Sequence, residues 1–382
     1  MQTQINALIQ QDLLIEARLL AEKWMADAGT DTLLSLQYAG MTQIFCGDAI
    51  AAEQSFRSAL AIAPDLPRNI ANLGIALMTQ GRYSEGLPLY EARYAQGIQA
   101  ADKVSFAGMD PQRQWQGETL VGKRVLLIGE QGYGDHFQFI RFAAELRASG
   151  ACKIMALVRP ALIGALSTAL CVDYLCSELP DPDEYDLWCP LLSSLLHLQI
   201  SSARAPAHTP YLFALPHQTA LWHERINTWG QHKPKVGLVW AGSTGNSVDS
   251  RRSLSTHQAL ELTVSCTKLA FFSLQLGSAG MDALDRQCAS GIIPLLDLLT
   301  DFTETAAAIA NLDLIISVDT AVAHLAGAMG KPIWLLLPAG ADWRWGQQGN
   351  ATPWYPSMRI FRQKIAGDWR GVLQSVAKEL QA

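Results

Sequence analysis

The chain has 382 residues, of which 49% are apolar and 17% charged, with a formal net charge of −6. That length leaves room for two or three domains with cores of their own, and the acidic balance argues against a nucleic-acid partner, which calls for a basic face. Seven scattered cysteines without a C-x-x-C pair argue against a disulfide framework and a zinc site, and no apolar run approaches the ~20 residues of a membrane span.

The opening residues, MQTQINALIQQDLLIEARLL, lack the basic region and long apolar core of a signal peptide. A cytoplasmic protein with reduced thiols is expected. Within residues 1–100 a period of 34 recurs, pairing Gly40 with Gly74, Gly47 with Gly81, Ala52 with Gly86 and Phe56 with Tyr90, and Pro64 closes the first unit. Small residues let paired helices approach, and a closing proline ends the unit. This is the pattern of an all-α tetratricopeptide module, which stacks into a curved surface that holds a protein segment.

A polar stretch, 101–122, reads as a linker. Beyond it short apolar runs at 125–128, 154–158, 236–240, 270–274, 312–318 and 333–337 alternate with helical patterns, which predicts parallel, doubly wound sheets. Strand–loop–helix openings at Arg124 and Lys235 divide this part into domains at 123–220 and 234–382, joined by the polar ALPHQTALWHERINTWGQHKPK. The last helix is open to two placements, on its own domain or back on the first.

The first opening, RVLLIGEQGYGDHFQFIRF, places Gly129, Gly132, Gly134 and Asp135 between a strand and a helix predicted over 137–146. The spacing G-x-x-G-x-G is not the dinucleotide pattern; glycines here leave the loop open to a substrate. Asp135 and Gln138 fit a D-x-x-Q capping box. Asp135 also lies at the carboxyl end of a strand, where α/β proteins bind ligands. The DPD at 181–183 sits in the proline-containing LPDPDEYDLWCP and reads as a solvated loop rather than a metal motif.

In the second domain VGLVWAGSTGNSVDSRRSLS runs from a strand into Ser243 and Thr244 and then Arg251 and Arg252. Such donors suit a diphosphate, or they belong to an ordinary surface loop. In LDLIISVDTAVAHLAGAMGKPIWLLLP a strand ends at Val318, and Asp319 and Thr320 precede a helix over 321–329. Its first N–H groups lack internal partners and favour an anion. Asp319 either caps that helix or faces a ligand, and His324 either packs or joins it. Trp343, Trp345, Trp354 and Tyr355 either stack on sugar faces or pack loops.

Together GYGDHFQFIRFAAEL, VWAGS…RRSL, SLQLG and DLIISVDTAVAHLAGAMGKPIWLLLP…DWRW…PWYPSMRIFRQ resemble the bacterial tetratricopeptide-containing glycosyltransferases, whose catalytic part is similar to the heptosyltransferase family. The likeness runs from Trp115 to Leu380. It implies an α/β GT-B fold, two facing Rossmann-like parallel-sheet domains, and inversion at the anomeric carbon. It also implies a nucleotide-diphosphate sugar donor, no cofactor and no metal. By position it makes Asp135 the candidate base. Ser243, Thr244 and Arg252 would contact the donor phosphates, and Gln275 and Gly277 the base and ribose. Thr320, Ala321 and Val322 would receive the phosphates at a helix start, with Asp319 beside the sugar and His324 next to it. Gly132, Gly134, Gln138 and Trp343 would lie on the acceptor side. Two departures leave the donor sugar open: Ala321 where heptosyltransferases commonly have glycine, and a double arginine where they use lysine. The helical module would hold a protein or glycan acceptor, so a chain starting near Ala101 is expected to keep donor binding and lose transfer. The alternatives are a tetratricopeptide scaffold with an inactive transferase-like domain, and a sugar-nucleotide epimerase of the same fold.

Overall fold

Among the described residues six helices occupy the N-terminal part: α1 (Gln2–Gln10), α2 (Leu14–Asp27), α3 (Thr32–Phe45), α4 (Ala49–Ile62), α5 (Pro67–Thr79) and α6 (Tyr83–Tyr90). The computed structural model describes residues 1–27, 32–95, 106, 108–201, 208–242, 249–285 and 291–381. Each helix packs on the next. A Cβ on Gly40 would stand 2.7 Å from the Phe56 ring, and one on Gly74 2.8 Å from the Gly86 carbonyl oxygen. Only glycine lets these helices touch. Gly47 and Gly81, 34 residues apart in the sequence, both take left-handed backbone, at φ +81° and +79°, where a side chain is strained.

Among the described residues the next part holds ten parallel strands in two sheets. The first sheet contains β1 (Arg124–Ile128), β2 (Lys153–Leu157), β3 (Tyr174–Cys176) and β4 (Leu187–Pro190), ordered β3-β2-β1-β4. The second contains β5 (Lys235–Val239), β6 (Ala270–Ser273), β7 (Ile293–Pro294), β8 (Leu314–Val318), β9 (Ile333–Leu337) and β10 (Met358–Arg362), ordered β10-β9-β8-β5-β6-β7. The six apolar runs of the sequence are β1, β2, β5, β6, β8 and β9, within a residue or two at each end. Their side chains are buried on both faces, as parallel sheets covered by helices require.

Two boundaries differ from the sequence expectation, and the placement of the last helix is decided. The stretch 108–122 before β1 is no free linker: the Trp115 N–H donates to the Trp188 carbonyl oxygen at 2.8 Å, and the Trp188 indole donates to the Asp110 carbonyl oxygen at 2.8 Å. It is laid along β4. The polar connection forms the helix Pro216–Gly230, which buries Trp222 and Ile226 against the helix Phe302–Ala310 of the second domain. The last helix, Trp369–Gln381, buries Trp369, Val372 and Val376 in a cluster with Val236, Leu238 and Phe361 of the second sheet. It does not return to the first domain.

All three parts share one core. Met78, Tyr83, Leu87 and Tyr90 of the helical module are clustered with Phe139 of the first domain and Trp343 and Trp354 of the second. The Tyr83 and Tyr90 rings meet Trp343 edge-on, at 5.7 and 6.4 Å between centroids. Behind them, the turn Glu91–Tyr94 inserts polar groups beside the first sheet. The Tyr94 hydroxyl donates to Glu130 at 2.7 Å, and the Arg93 guanidinium lies 3.3 Å from the same carboxylate. At the far edge, Gln347 donates to the Gly47 carbonyl oxygen at 2.6 Å.

Candidate active site

The helix after β1, Tyr133–Phe139, and the helix after β8, Ala321–Ala328, cross in direct contact. A Cβ on Gly134 would stand 2.6 Å from the His324 ring. Glycine here permits the close approach of the two domains. This also corrects the reading of the glycine loop. Gly129 is filled in the same way, by His136 at 2.2 Å, and only Gly132 faces open space, its one near neighbour being the Asp135 carboxylate at 3.3 Å.

The helix begins at Tyr133 rather than at 137, so Asp135 stands in its first turn and not at its cap. Gly132 is the N-cap, and Asp135 reaches back to accept its N–H at Oδ2, 2.8 Å away. Gln138 takes no part in capping: it is fully buried, and neither end of its amide has a hydrogen-bond partner. The other Asp135 oxygen, Oδ1, pairs with the Arg344 guanidinium of the second domain. Burial pushes the Asp135 carboxyl above its ordinary range. Arg344 and His324 pull it down and Asp342 pushes it up. A carboxylate so placed has more avidity for a proton than a solvated one.

On the donor side, Asp319 is not a cap either. Thr320 is the N-cap and its side chain makes no capping bond, and among the described residues no side chain accepts from the first N–H groups, at Ala321 and Val322. The Asp319 carboxylate turns instead to the Trp345 indole, at 2.9 Å, and to His324 Nε2, at 3.5 Å. His324 Nδ1 lies 3.0 Å from the Tyr355 hydroxyl, and its ring stacks on Trp345 with centroids 5.3 Å apart. Burial pushes Asp319 up, but the hydrogen bond and charge of His324, the charge of Arg252 and the Trp345 indole outweigh it and hold the carboxyl at about 2.

That low value has a measurable consequence. An acid whose folded pKa lies below its unfolded pKa near 4 stabilises the fold above pH ~4, and the gain is lost as pH falls toward 2. It amounts to about 2 kcal/mol. Asp319→Asn is therefore expected to cost stability at pH 6 and to differ less from the parent at pH 2.5, read by urea unfolding across that range. A constant difference at all pH values would mean that Asp319 is not held by these charges.

The other expected residues divide. Arg252 ion-pairs with Asp249 at 3.1 Å and its charge reaches Asp319. Ser243 and Thr244 lie outside the described residues. Gln275 is buried and spent on structure: its oxygen accepts the N–H groups of Trp240 and Ala241 at 3.1 and 2.9 Å. Gly277 begins a helix with φ +72° and open space around it. Trp343 is 2% exposed, Trp345 3%, and Trp354 and Tyr355 0%, so this aromatic group packs the core and presents no face to a sugar. Asp181 caps a short turn, accepting the Asp183 N–H at 2.9 Å. Among the described residues no cluster of three or more His, Cys, Asp or Glu is placed to share a metal ion, and no helix is long and apolar enough to cross a membrane. Sequence reasoning missed Arg344 and Asp342. The one signal was an arginine set between two tryptophans in DWRW, where a cation among large apolar side chains needs a buried partner.

Residues 280–364 match the family model described as Glycosyltransferase family 9 (heptosyltransferase). Protein FlbA of Caulobacter vibrioides is 26% identical over 344 residues, covering 84% of this chain and 56% of that protein. The chain thus spans about half the length of this curated relative. Among solved structures, a glycosyl transferase family 9 protein from Veillonella parvula aligns over 69% of this chain and 91% of its own, with 12% identity and a TM-score of 0.49. The Escherichia coli ADP-heptose lps heptosyltransferase II aligns over 68% and 98%, with 14% identity and a TM-score of 0.47. The matched segment contains Asp319, the helix Ala321–Ala328 and Arg344. That match lies wholly within the second domain.

Proposed function

We propose that the chain is an inverting, metal-independent glycosyltransferase that moves a sugar from a nucleotide-diphosphate donor to a hydroxyl acceptor. One observation supports this above the others. The contact of Gly134 with His324 brings a buried carboxylate of one domain, Asp135, to the uncapped helix start of the other. Asp135 takes the proton of the acceptor hydroxyl as that oxygen attacks the anomeric carbon. The bond from that carbon to the diphosphate breaks, and the leaving group carries away the negative charge. The free N–H groups at Ala321 and Val322 and the Arg252 guanidinium meet that charge, the task of preorganised donors in a water-poor site. The N-terminal helices, with their 34-residue period, form a tetratricopeptide module facing a protein or glycan acceptor. That last step is an analogy of fold.

The test is a thermal-shift and calorimetric screen of nucleoside diphosphates and nucleotide sugars in the presence of EDTA. Binding to the native state raises apparent stability, and at least one nucleoside diphosphate is expected to do so without a divalent ion. Arg252→Ala is expected to weaken that binding by about 1.5–3 kcal/mol, the scale of a charge-assisted bond. No binding by any nucleotide would leave a scaffold. Binding followed by epimerised donor without transfer would make the chain an epimerase.

A further inference from the structure

We infer that Arg344 is the positioning residue of the catalytic carboxylate: reaching across from the second domain, it fixes the direction and charge of Asp135, with Asp342 as its second anchor. The inference rests on the reading of Asp135 as the base, and it assigns a function to a residue outside the helix that carries that base.

The geometry leaves the guanidinium little freedom. It is buried against the Phe139 and Trp343 rings, 5.0 and 4.6 Å from their centroids. One terminal nitrogen pairs with Asp135 Oδ1 and the other with Asp342 Oδ1 at 2.7 Å. The Arg344 backbone is held as well, its N–H donating to Asp342 at 3.0 Å and its carbonyl oxygen accepting the Trp354 indole at 2.9 Å. Asp135 is thereby gripped at both oxygens, by Arg344 at Oδ1 and by the Gly132 N–H at Oδ2. A carboxylate oxygen has two lone-pair sites, so one on each oxygen remains for a proton. The open side lies over Gly132, which has no side chain to block a hydroxyl. The charged and titratable groups acting on Asp135 are Arg344 and Asp342 from the DWRW turn and His324 from the facing helix. Arg344 lets the carboxylate stay ionised in a buried place. Asp342 shares the guanidinium and so limits how far Arg344 lowers its basicity.

A merely structural bridge between domains would hold the parts together without setting a titration. The experiment is a carbon-13 NMR titration of aspartate carboxyls in the full chain, with Asp135→Asn identifying the resonance, repeated in Arg344→Met, Arg344→Lys and Asp342→Asn. Removing the cation is expected to raise the Asp135 midpoint by about 1–3 pH units. Lysine restores most of the difference. Asp342→Asn moves the midpoint the opposite way, downward, and because Asp342 is exposed and asparagine can keep its turn bond, this variant folds even if Arg344→Met does not. The acid limb of kcat/KM for transfer moves with each midpoint. Midpoints unmoved in the variants that fold, or moved in the same direction by both substitutions, overturn the assignment. The titration needs no substrate. Midpoints that shift as expected in a chain without transfer activity would therefore fell the transferase reading and not the pairing.

Discussion

Asp135→Asn is expected to slow sugar transfer by about 10²–10⁴, the range for losing a general base, with donor binding retained. It should also lower the melting temperature, which a simple helix cap would not predict. Asparagine caps a helix about as well as aspartate, but Asp135 is no cap. Both of its oxygens accept, one from Gly132 and one from Arg344. Asparagine has a single acceptor oxygen, so either the Gly132 N–H is orphaned or an amide NH2 faces the guanidinium. Leaving a buried donor unsatisfied costs about 1–3 kcal/mol. The ~3–5 kcal/mol of a fully broken buried pair is not reached, because Arg344 keeps Asp342 at 2.7 Å. Nucleotide release with acceptor present gives the rate, and calorimetry gives the stability. Transfer at the parent rate would make Asp135 a structural ion-pair partner and send the search for the base elsewhere.

Removing residues 1–95 is expected to leave no folded transferase. The sequence suggested that the helical module could be cut away near Ala101 with donor binding intact; the packing argues otherwise. Met78, Tyr83, Leu87 and Tyr90 belong to the core that contains Trp343 and Trp354. Burying one large apolar side chain stabilises by about 1.5–3 kcal/mol, so four of them match the ~5–15 kcal/mol by which whole domains are stable. Glu130, 3% exposed, would lose Arg93 and Tyr94 and keep the Leu192 N–H at 3.0 Å. Trp343, released by the tyrosines, would no longer brace Arg344. Size-exclusion chromatography and near-ultraviolet circular dichroism of the shortened chain should show aggregation and lost aromatic packing. A monomer that binds nucleoside diphosphate as the full chain does would show that the module is a detachable accessory.

Much of the fold was legible because buried parallel strands are continuous apolar runs, and β1, β5, β8 and β9 are of that kind. The unread strands lack that signature for separate reasons. β3 and β7 have three and two residues, β4 ends in Pro190, and β10, at the sheet edge, reads MRIFR with charges between its apolar residues. The helix start at Tyr133 was misplaced because Gly132 and Gly134 are poor helix formers. Gly134 stands there because His324 needs the room, a requirement that arises only when the two domains meet.

Local sequence was sufficient to determine the six strands read from apolar runs, the 34-residue helical period and the position of Asp135 near the end of β1, since these follow from periodicity and turn chemistry along the chain. The tertiary structure alone decided what each candidate does. It turned Asp319 from a cap into the partner of Trp345 and His324, took Gln275 and Trp343 into the packing, and joined Asp135 to Arg344 across 209 positions of sequence. The physical reason is that a buried charge is meaningful only through its partners. Those partners come from elements that fold separately and meet through shape, at Gly134 and around Trp343, where no local pattern records the encounter.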